Sequence, residues 1–571
     1  MKTENFVLNL SKKVNTSNLI ILGLVIIFGV TSTLLNYSGF GISDHIEQLP
    51  IIIRQMDNSY LSNDFFVNST YMHISRIVYS KLISFLAGTS ENLPELALSL
   101  TIISNVLISM VTFLITKKMF YDKKLPGILA SFFVMTINTF SFGWLSNIYQ
   151  TILIPSAIVL PLIFFAILFF YIEKPYMGGI IISIAALLHP LFGLEVGSIL
   201  FISYFIRLII QKKIYKNKYI NISIGLIIFL TTTIYLLIQQ FNQPMINSKL
   251  FIYIIALFRH PHHYLPSTLG IKQFVLASSF ILSVGLIYII FIKQRIYDSI
   301  FISIFCFSIL LFNLIGNFFI EIIPNKLWVI SQPLRLLIFI KWFGLIFMAG
   351  WISIVINQKK TWQVITLFSS VFSPLTLFLS SFFISIKEKF FVKSINIDNK
   401  IFSFIIIALN ITILAYLGKN SSNISMMVQE NFSAIKPQIT YYEIGIEGLQ
   451  LALFVKDNTP ENSLFLTPPN WGQFRLISQR AIIVDFKAIP FGDSSILEWY
   501  ERMIVCYGTP NKFGFSMIDE LEENYRRISE ENVNKITTKY NVDYAIFYSD
   551  TITNYPVIYE NKIYKLVKID S

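Results

Sequence analysis

Asp44 and His45 stand a few residues past the first long apolar run of the chain, Asn18 to Tyr37. That run has about 20 residues, enough to cross a bilayer, so the pair falls in the loop just beyond it. A carboxylate beside a bilayer is costly unless it faces water or does chemistry. Asp44 could act as a general base, drawing a proton from an acceptor hydroxyl that comes within hydrogen-bond reach. His45 could be its partner or a metal ligand. The plain alternative is structural, because Ser43-Asp44 also suits a helix N-cap. The same loop carries Glu47, Asp57, Asp64 and His73. Asp57 and Asp64 flank a turn-like stretch, and side-chain-to-backbone bonds in turns are their simpler use.

Four more groups could bind or react. Arg259 precedes His260-Pro261-His262-His263 in the loop 239–270. With Asp44, these histidines are the candidate ligands for a divalent cation. The loop itself adds no carboxylate to complete such a set, and solvated histidines are the bland reading. Arg335 and Lys341 lie near one end of the apolar run 332–357. Charges there are functional candidates by default, and an Arg fork fits a lipid phosphate or pyrophosphate. Arg335 could instead snorkel to the surface, whereas Lys341 lies about 9 Å deeper by helical rise. His189 and Glu195 straddle Pro190, which offers either an ion path through a broken helix or a structural kink. Arg475, Arg480, Asp485 and Lys487 cluster late in the chain, where they could clamp an acceptor or a carrier phosphate or form ordinary ion pairs.

These residues must be positioned by a membrane protein. Hydrophobic residues make up 54% of the chain and charged residues 14%, where a soluble domain is nearer a quarter charged, and mean hydropathy is +0.63. The excess of 45 basic over 33 acidic residues falls mostly in short loops, where it sets topology rather than nucleic-acid binding. Apolar runs are found at 18–37, 93–116, 126–143, 150–172, 176–190, 191–210, 219–238, 271–293, 298–319, 332–357, 362–386 and 401–418. They predict a polytopic α-helical membrane protein with about 11 to 13 crossings. The first run should stay as a signal anchor, because Lys12 and Lys13 flank it and no small-residue cleavage site follows. Cys306 and Cys506 are too far apart in the chain and in setting to predict a disulfide.

Basic clusters keep phase from Lys12 through Lys117, Lys174, Lys212, Lys293 and Lys359. All six histidines then fall on the outward side. The phase fails at Lys387, Lys389, Lys393 and Lys400 unless 362–386 is a two-pass or re-entrant hairpin bent at Pro374. With that hairpin, 401–418 leads outward and the rest of the chain is extracytoplasmic. The domains expected are a transmembrane domain, 1–419, with a first extracytoplasmic loop at 38–92; a linker, 420–440; and a soluble α/β domain, 441–571. Asn68 to Ala87 reads as an amphipathic helix on the membrane surface. In the last domain, strands at 463–466, 481–486 and 542–548 alternate with helices at 494–507, 516–529 and 532–540, and a hairpin closes it at 557–569. There is no P-loop, dinucleotide glycine motif, nucleophile elbow or HExxH, and no internal repeat.

Gly41-Ile42-Ser43-Asp44-His45, Leu49-Pro50 and Asn63-Asp64-Phe65-Phe66 resemble a family of bacterial polytopic membrane proteins. So do Leu188-His189-Pro190, Gly472-Gln473-Phe474-Arg475, Arg480, Val484-Asp485-Phe486-Lys487 and Glu498-Trp499-Tyr500. The early Asp in a large first loop, with a C-terminal α/β domain, looks like the C-type glycosyltransferase (GT-C) fold. That class uses polyprenyl-phosphate-linked sugars as donors. The resemblance implies a membrane glycosyltransferase at a bacterial inner (plasma) membrane. Asp44 would be its general base, with His45 beside it. Arg335, Lys341, Arg259, Arg475, Arg480 and Lys487 would hold donor or phosphate, and a divalent cation would be optional. The partners implied are a lipid-linked sugar donor and membrane lipids. The Trp-Trp-Asp motif of oligosaccharyltransferases is absent, and Asn470-Trp471-Gly472 is a faint echo of it. Two other readings are a transporter or flippase for a lipid-linked or polar solute, and a non-catalytic component of envelope polysaccharide assembly.

Overall fold

A computed structural model of the protein describes residues 16–137, 147–212, 216–241, 244–294, 300–387 and 442–569. The apolar run 401–418 and the linker 420–440 lie outside the described residues.

The first helix, α1 (Thr16–Asn36), is followed by a loop that folds into three helices: α2 (His45–Met56), α3 (Phe65–Thr70) and α4 (Ile74–Ala87). The single surface helix expected from Asn68 is thus two, separated at Tyr71–His73. His73 takes an extended backbone and its Nδ1 accepts the Ser75 N–H at 3.3 Å, which caps α4 and ends any continuity with α3. No local pattern marks α2, because Pro50 inside it reads as a breaker.

The helices α5 (Leu93–Met119), α6 (Lys124–Thr136), α7 (Pro155–Tyr171), α8 (Pro175–Leu188), α9 (Pro190–Gln211) and α10 (Lys216–Phe241) follow. A short helix α11 (Ser248–Ile252) runs into a π-turn at Tyr253–Arg259 and then α12 (Pro261–Tyr264). The bundle ends with α13 (Ile271–Gln294), α14 (Ile300–Glu321), α15 (Lys326–Ser331), α16 (Leu337–Asn357), α17 (Thr361–Ser370) and α18 (Pro374–Lys387). Among the described residues, seven helices are long and apolar enough to cross a membrane, and four more are apolar but shorter. The chain is a polytopic integral membrane protein.

Packing inside the bundle uses small residues and buried polar bonds. A Cβ at Gly29 would lie 2.6 Å from the Val106 backbone, so α1 and α5 touch closely. Asn105 donates to Thr33 Oγ1 and to the Gln150 carbonyl, both at 2.8 Å. The most enclosed span includes α16, with 94% of its apolar window buried, and Trp342 Nε1 donates to Thr112 Oγ1 at 2.9 Å. The run 176–210 breaks at His189-Pro190, as its proline suggested. The run 362–386 folds back near Pro374. Ser370 Oγ and Ser380 Oγ are 2.6 Å apart, which ten residues of straight helix, about 15 Å long, could not allow.

The C-terminal unit begins with α19 (Gly445–Asn458) and holds five strands: β1 (Leu464–Leu466), β2 (Ala481–Ile482), β3 (Tyr544–Tyr548), β4 (Val557–Glu560) and β5 (Tyr564–Lys568). Their order is β2-β1-β3-β5-β4. β1 pairs parallel with β2 and β3, while β5 pairs antiparallel with β3 and β4. Four helices complete the unit: α20 (Phe474–Ser478), α21 (Asp493–Tyr507), α22 (Ile518–Arg526) and α23 (Glu530–Tyr540). The expected alternation of strand and helix is present, with β2 shorter than its apolar run. Ile483 N still donates to the Phe465 carbonyl of β1 at 3.0 Å; beyond it the chain turns toward the bundle, where Arg259 donates to the Phe486 and Lys487 carbonyls.

Candidate active site

The chain enters α2 through a tight loop. Gly41 has φ 78° and Ser43 φ 53°. The left-handed region costs an L-residue such as Ser about 1 kcal/mol, so the loop needs outside support. His45 supplies part of it. Its Nδ1 accepts the Gly41 N–H at 3.1 Å, so Nε2 carries the proton and donates to the Leu153 carbonyl at 3.0 Å. The ring is 1% exposed, and burial pushes its pKa down to about 4. This corrects the expectation of a catalytic His45: the ring is neutral and both nitrogens hold backbone.

Asp44 occupies the N-cap position of α2, with φ −67° and ψ −12°, and its side chain makes no capping bond. Capping therefore does not account for the carboxylate. It is half-buried. Glu47 lies three residues on, on the same face of α2. Burial, and then the charge of Asp44, push the Glu47 pKa up to about 7, against the opposing pull of Lys487, Arg259 and Arg76.

Three arginines from separate elements lie within electrostatic reach of Asp44. Arg76 on α4 stacks over Phe491 at 4.3 Å. Burial lowers its pKa, while Glu47 and Asp44 raise it. Arg259, at the end of the π-turn, has a pKa lowered to about 10 by burial, and Glu47, Asp485 and Asp44 act in the other direction. Arg335, in the 3-10 turn Pro333–Leu336 that opens α16, is within electrostatic reach of Tyr264, Glu195 and Asp44. Both carboxylate oxygens of Glu195 are buried without a hydrogen-bond partner among the described residues. His189 lies within reach of Arg335 and Arg76, and its Nδ1 accepts the Phe192 N–H at 3.4 Å.

Of the expected site residues, the fold therefore brings Asp44, Arg259, Arg335 and Lys487 together. Arg259 has a second duty. Its Nε donates to the Phe486 carbonyl at 2.7 Å and a terminal nitrogen donates to the Lys487 carbonyl at 3.2 Å. Asp485 shapes the same turn, its Oδ1 accepting from Lys487 N at 2.8 Å and Ala488 N at 2.9 Å. The turn brings Lys487 close enough to act on Glu47 and His45.

Arg475 and Arg480 stand elsewhere in the network. Arg475 is fully buried. Its Nε donates to Asp64 Oδ2 at 2.6 Å, and its Nη1 pairs with Asp485. Burial works against its charge, but Asp64 and then Asp485 outweigh burial and raise its pKa. Arg475 is committed to two carboxylates and is not placed to grip a phosphate, which corrects the expectation for it. Arg480 donates to the carbonyls of Lys456 and Thr459 at 2.8 and 2.6 Å and ties the end of α19 to β2. It too is structural. Lys341 is 5% exposed within α16, below Arg335.

His260, His262 and His263 stack on one another, with ring centroids 4.8 Å apart for His260 and His263 and 4.0 Å apart for His262 and His263. His262 also packs on Phe515 at 4.5 Å. Burial pushes the pKa of each below the ordinary histidine value. Among the described residues, no group of three or more His, Cys, Asp or Glu side chains is arranged to hold a metal ion. Asp44 and the histidines thus do not come together as a ligand set.

Sequence reading missed Arg76 and passed over Glu47. Arg76 sits on an amphipathic helix, where a cation ordinarily means a solvated face. Its signal was local: it follows the capping His73 by three residues, which points it back toward the start of α4.

Residues 447–505 match a family described as a domain of unknown function (DUF6798). No curated protein matches the chain. Among solved structures, that of ArnT from Cupriavidus metallidurans in the apo state is similar, with 10% identity over 97% of each chain and a TM-score of 0.44. None of these assigns an activity to this chain.

Proposed function

We propose that the protein is a membrane glycosyltransferase that moves a sugar from a polyprenyl-phosphate carrier to an acceptor on the extracytoplasmic face. One observation carries the reading: the Asp44 carboxylate makes no capping bond and stands within electrostatic reach of Arg76, Arg259 and Arg335. A general base needs a free carboxylate. A leaving phosphate needs preorganised cations where its charge develops. In this reading Asp44 takes the proton from the acceptor hydroxyl as the acceptor oxygen bonds to the anomeric carbon. The bond from that carbon to the phosphate oxygen breaks, and the carrier phosphate leaves toward Arg335 and Arg76. Arg335 heads a membrane-spanning segment, where a carrier phosphate at headgroup level could reach it. Lys487 closes the site from the C-terminal unit.

The test is transfer from a panel of polyprenyl-phosphate sugars by the purified protein beside Asp44→Asn. Turnover that disappears in the variant supports both the class and the base. Turnover that survives removes Asp44 from the mechanism. Absence of both turnover and donor binding would favour a transporter. That second reading draws on one observation, the unbonded carboxylate of Glu195 just past the Pro190 break, and a solute-flux assay with Glu195→Gln would examine it.

A further inference from the structure

Two hydrogen bonds from the C-terminal unit grip the backbone of the Asp44 loop. Glu443 Oε1 accepts the Ser43 N–H at 2.8 Å. Gln473 Nε2 donates to the Gly41 carbonyl at 3.0 Å. The two side chains are joined, because Gln473 Oε1 accepts the Glu443 N–H at 2.8 Å. Gly41 and Ser43 are two of the loop's three positive-φ residues, with Gly39, and Ser43 alone of the three carries a side chain there, so the C-terminal unit holds the strained residue and one of the glycines that make the turn. Gln473 is 1% exposed, which shields its bonds from competing water.

The packing beside these bonds leaves no slack. A Cβ at Gly472 would lie 2.6 Å from Ile46 Cγ2 and 3.0 Å from Asp485 Oδ1. Ile46 is two residues beyond Asp44, so the backbone of residue 472 is pressed on the first turn of α2. About 400 residues of sequence separate the two sides of this contact.

We infer that Gln473 and Glu443 are positioning residues, through which the C-terminal unit sets the orientation of Asp44. Neither reaches the Asp44 carboxylate in these contacts. They act by fixing the peptide groups on either side of Ile42, which decides where residue 44 points. The effect on transfer rests on the role proposed above for Asp44; the effect on the loop does not. Removing either side chain frees the peptide groups around Ile42 and lets Ser43 relax from the left-handed region, and the carboxylate moves with them. A displacement of about 1 Å in a catalytic group lowers turnover by about a hundredfold.

The experiment uses the full chain in detergent and four variants: Glu443→Ala, Glu443→Gln, Gln473→Ala and Gln473→Glu. Glu443 is exposed, so its replacement leaves the core intact. Hydrogen exchange of the segment 38–48 is read first. Uptake should rise in Glu443→Ala, Gln473→Ala and Gln473→Glu. It should stay at the wild-type level in Glu443→Gln, whose amide oxygen still accepts the Ser43 N–H. Transfer kinetics are read second. The three disruptive variants should lose about tenfold to a hundredfold in kcat with KM little changed, and Glu443→Gln should retain activity. Unchanged exchange in Glu443→Ala and Gln473→Ala would overturn the inference, as would a raised KM at constant kcat. If the wild type transfers no sugar, the exchange arm still decides: raised uptake keeps the positioning role, and only the proposed reaction falls.

Discussion

The Arg475 centre and the Asp44 centre lie on two sides of one turn, residues 485–488, and they treat charge in opposite ways. At the first, one guanidinium meets Asp64 and Asp485, the three side chains are at most 1% exposed, and Ile482 N adds a further bond to Asp64 at 3.1 Å. At the second, Arg76, Arg259, Arg335 and Lys487 gather near Asp44 and Glu47, and the Asp44 side chain makes no cap bond. A saturated ion network holds structure. A half-buried cluster of several cations around two carboxylates is a setting where charge and pKa are tuned for function. An arginine committed to two buried carboxylates, as Arg475 is, serves the fold, and composition does not reveal which arginine that is.

The largest effect expected is on the saturated side. Arg475→Met leaves Asp64 and Asp485 buried without their cation and should destabilise the fold by about 3–5 kcal/mol. Thermal unfolding in detergent would read it, and an unchanged Tm would erase the contrast. Asp44→Asn should do the reverse, lowering transfer by about a hundredfold to ten-thousandfold while Tm holds. Arg335→Lys keeps the charge but loses the fork, and should raise the donor KM by about tenfold.

A subtler effect concerns Glu47. Its pKa rises in the folded protein from the ordinary 4.5 to about 7 because burial favours the neutral form. The stability this gives is complete below about pH 4.5 and is lost as pH climbs through about 7. The wild type should therefore lose stability relative to Glu47→Gln across that window, and parallel curves would remove Glu47 from the charged cluster. Smallest of all, Asp57→Ala should cost under about 1 kcal/mol. Asp57 is exposed and closes a turn onto Ser59, accepting from its N–H at 2.8 Å and its hydroxyl at 2.6 Å.

Much of the architecture was legible in the sequence. Apolar runs located the bundle helices, prolines located the breaks at Pro190 and Pro374, and alternating patterns located most strands and helices after residue 460, though not α20. These are local signals that survive into the fold. Asp44, Arg335, Arg259 and Lys487 were legible as charges in unusual places. The partnership of Arg475 with Asp64 was not, since it joins residues 411 apart in sequence and depends on how the C-terminal unit docks. For the same reason His45 reads as chemistry next to Asp44, although its ring is held by Gly41 and by Leu153 far along the chain. Asp64 was expected to serve a turn. It does cap α3, accepting from Val67 N at 3.0 Å, and the same carboxylate also anchors Arg475.

The enclosure of α16 has a further consequence. A helix whose apolar window is 94% buried scarcely meets lipid, so bilayer thickness does not set its tilt; its neighbours do. It stands as a mast stepped inside the hull, and Arg335 is fixed at its head. Changes in lipid composition would bend the outer planking before they moved that arginine.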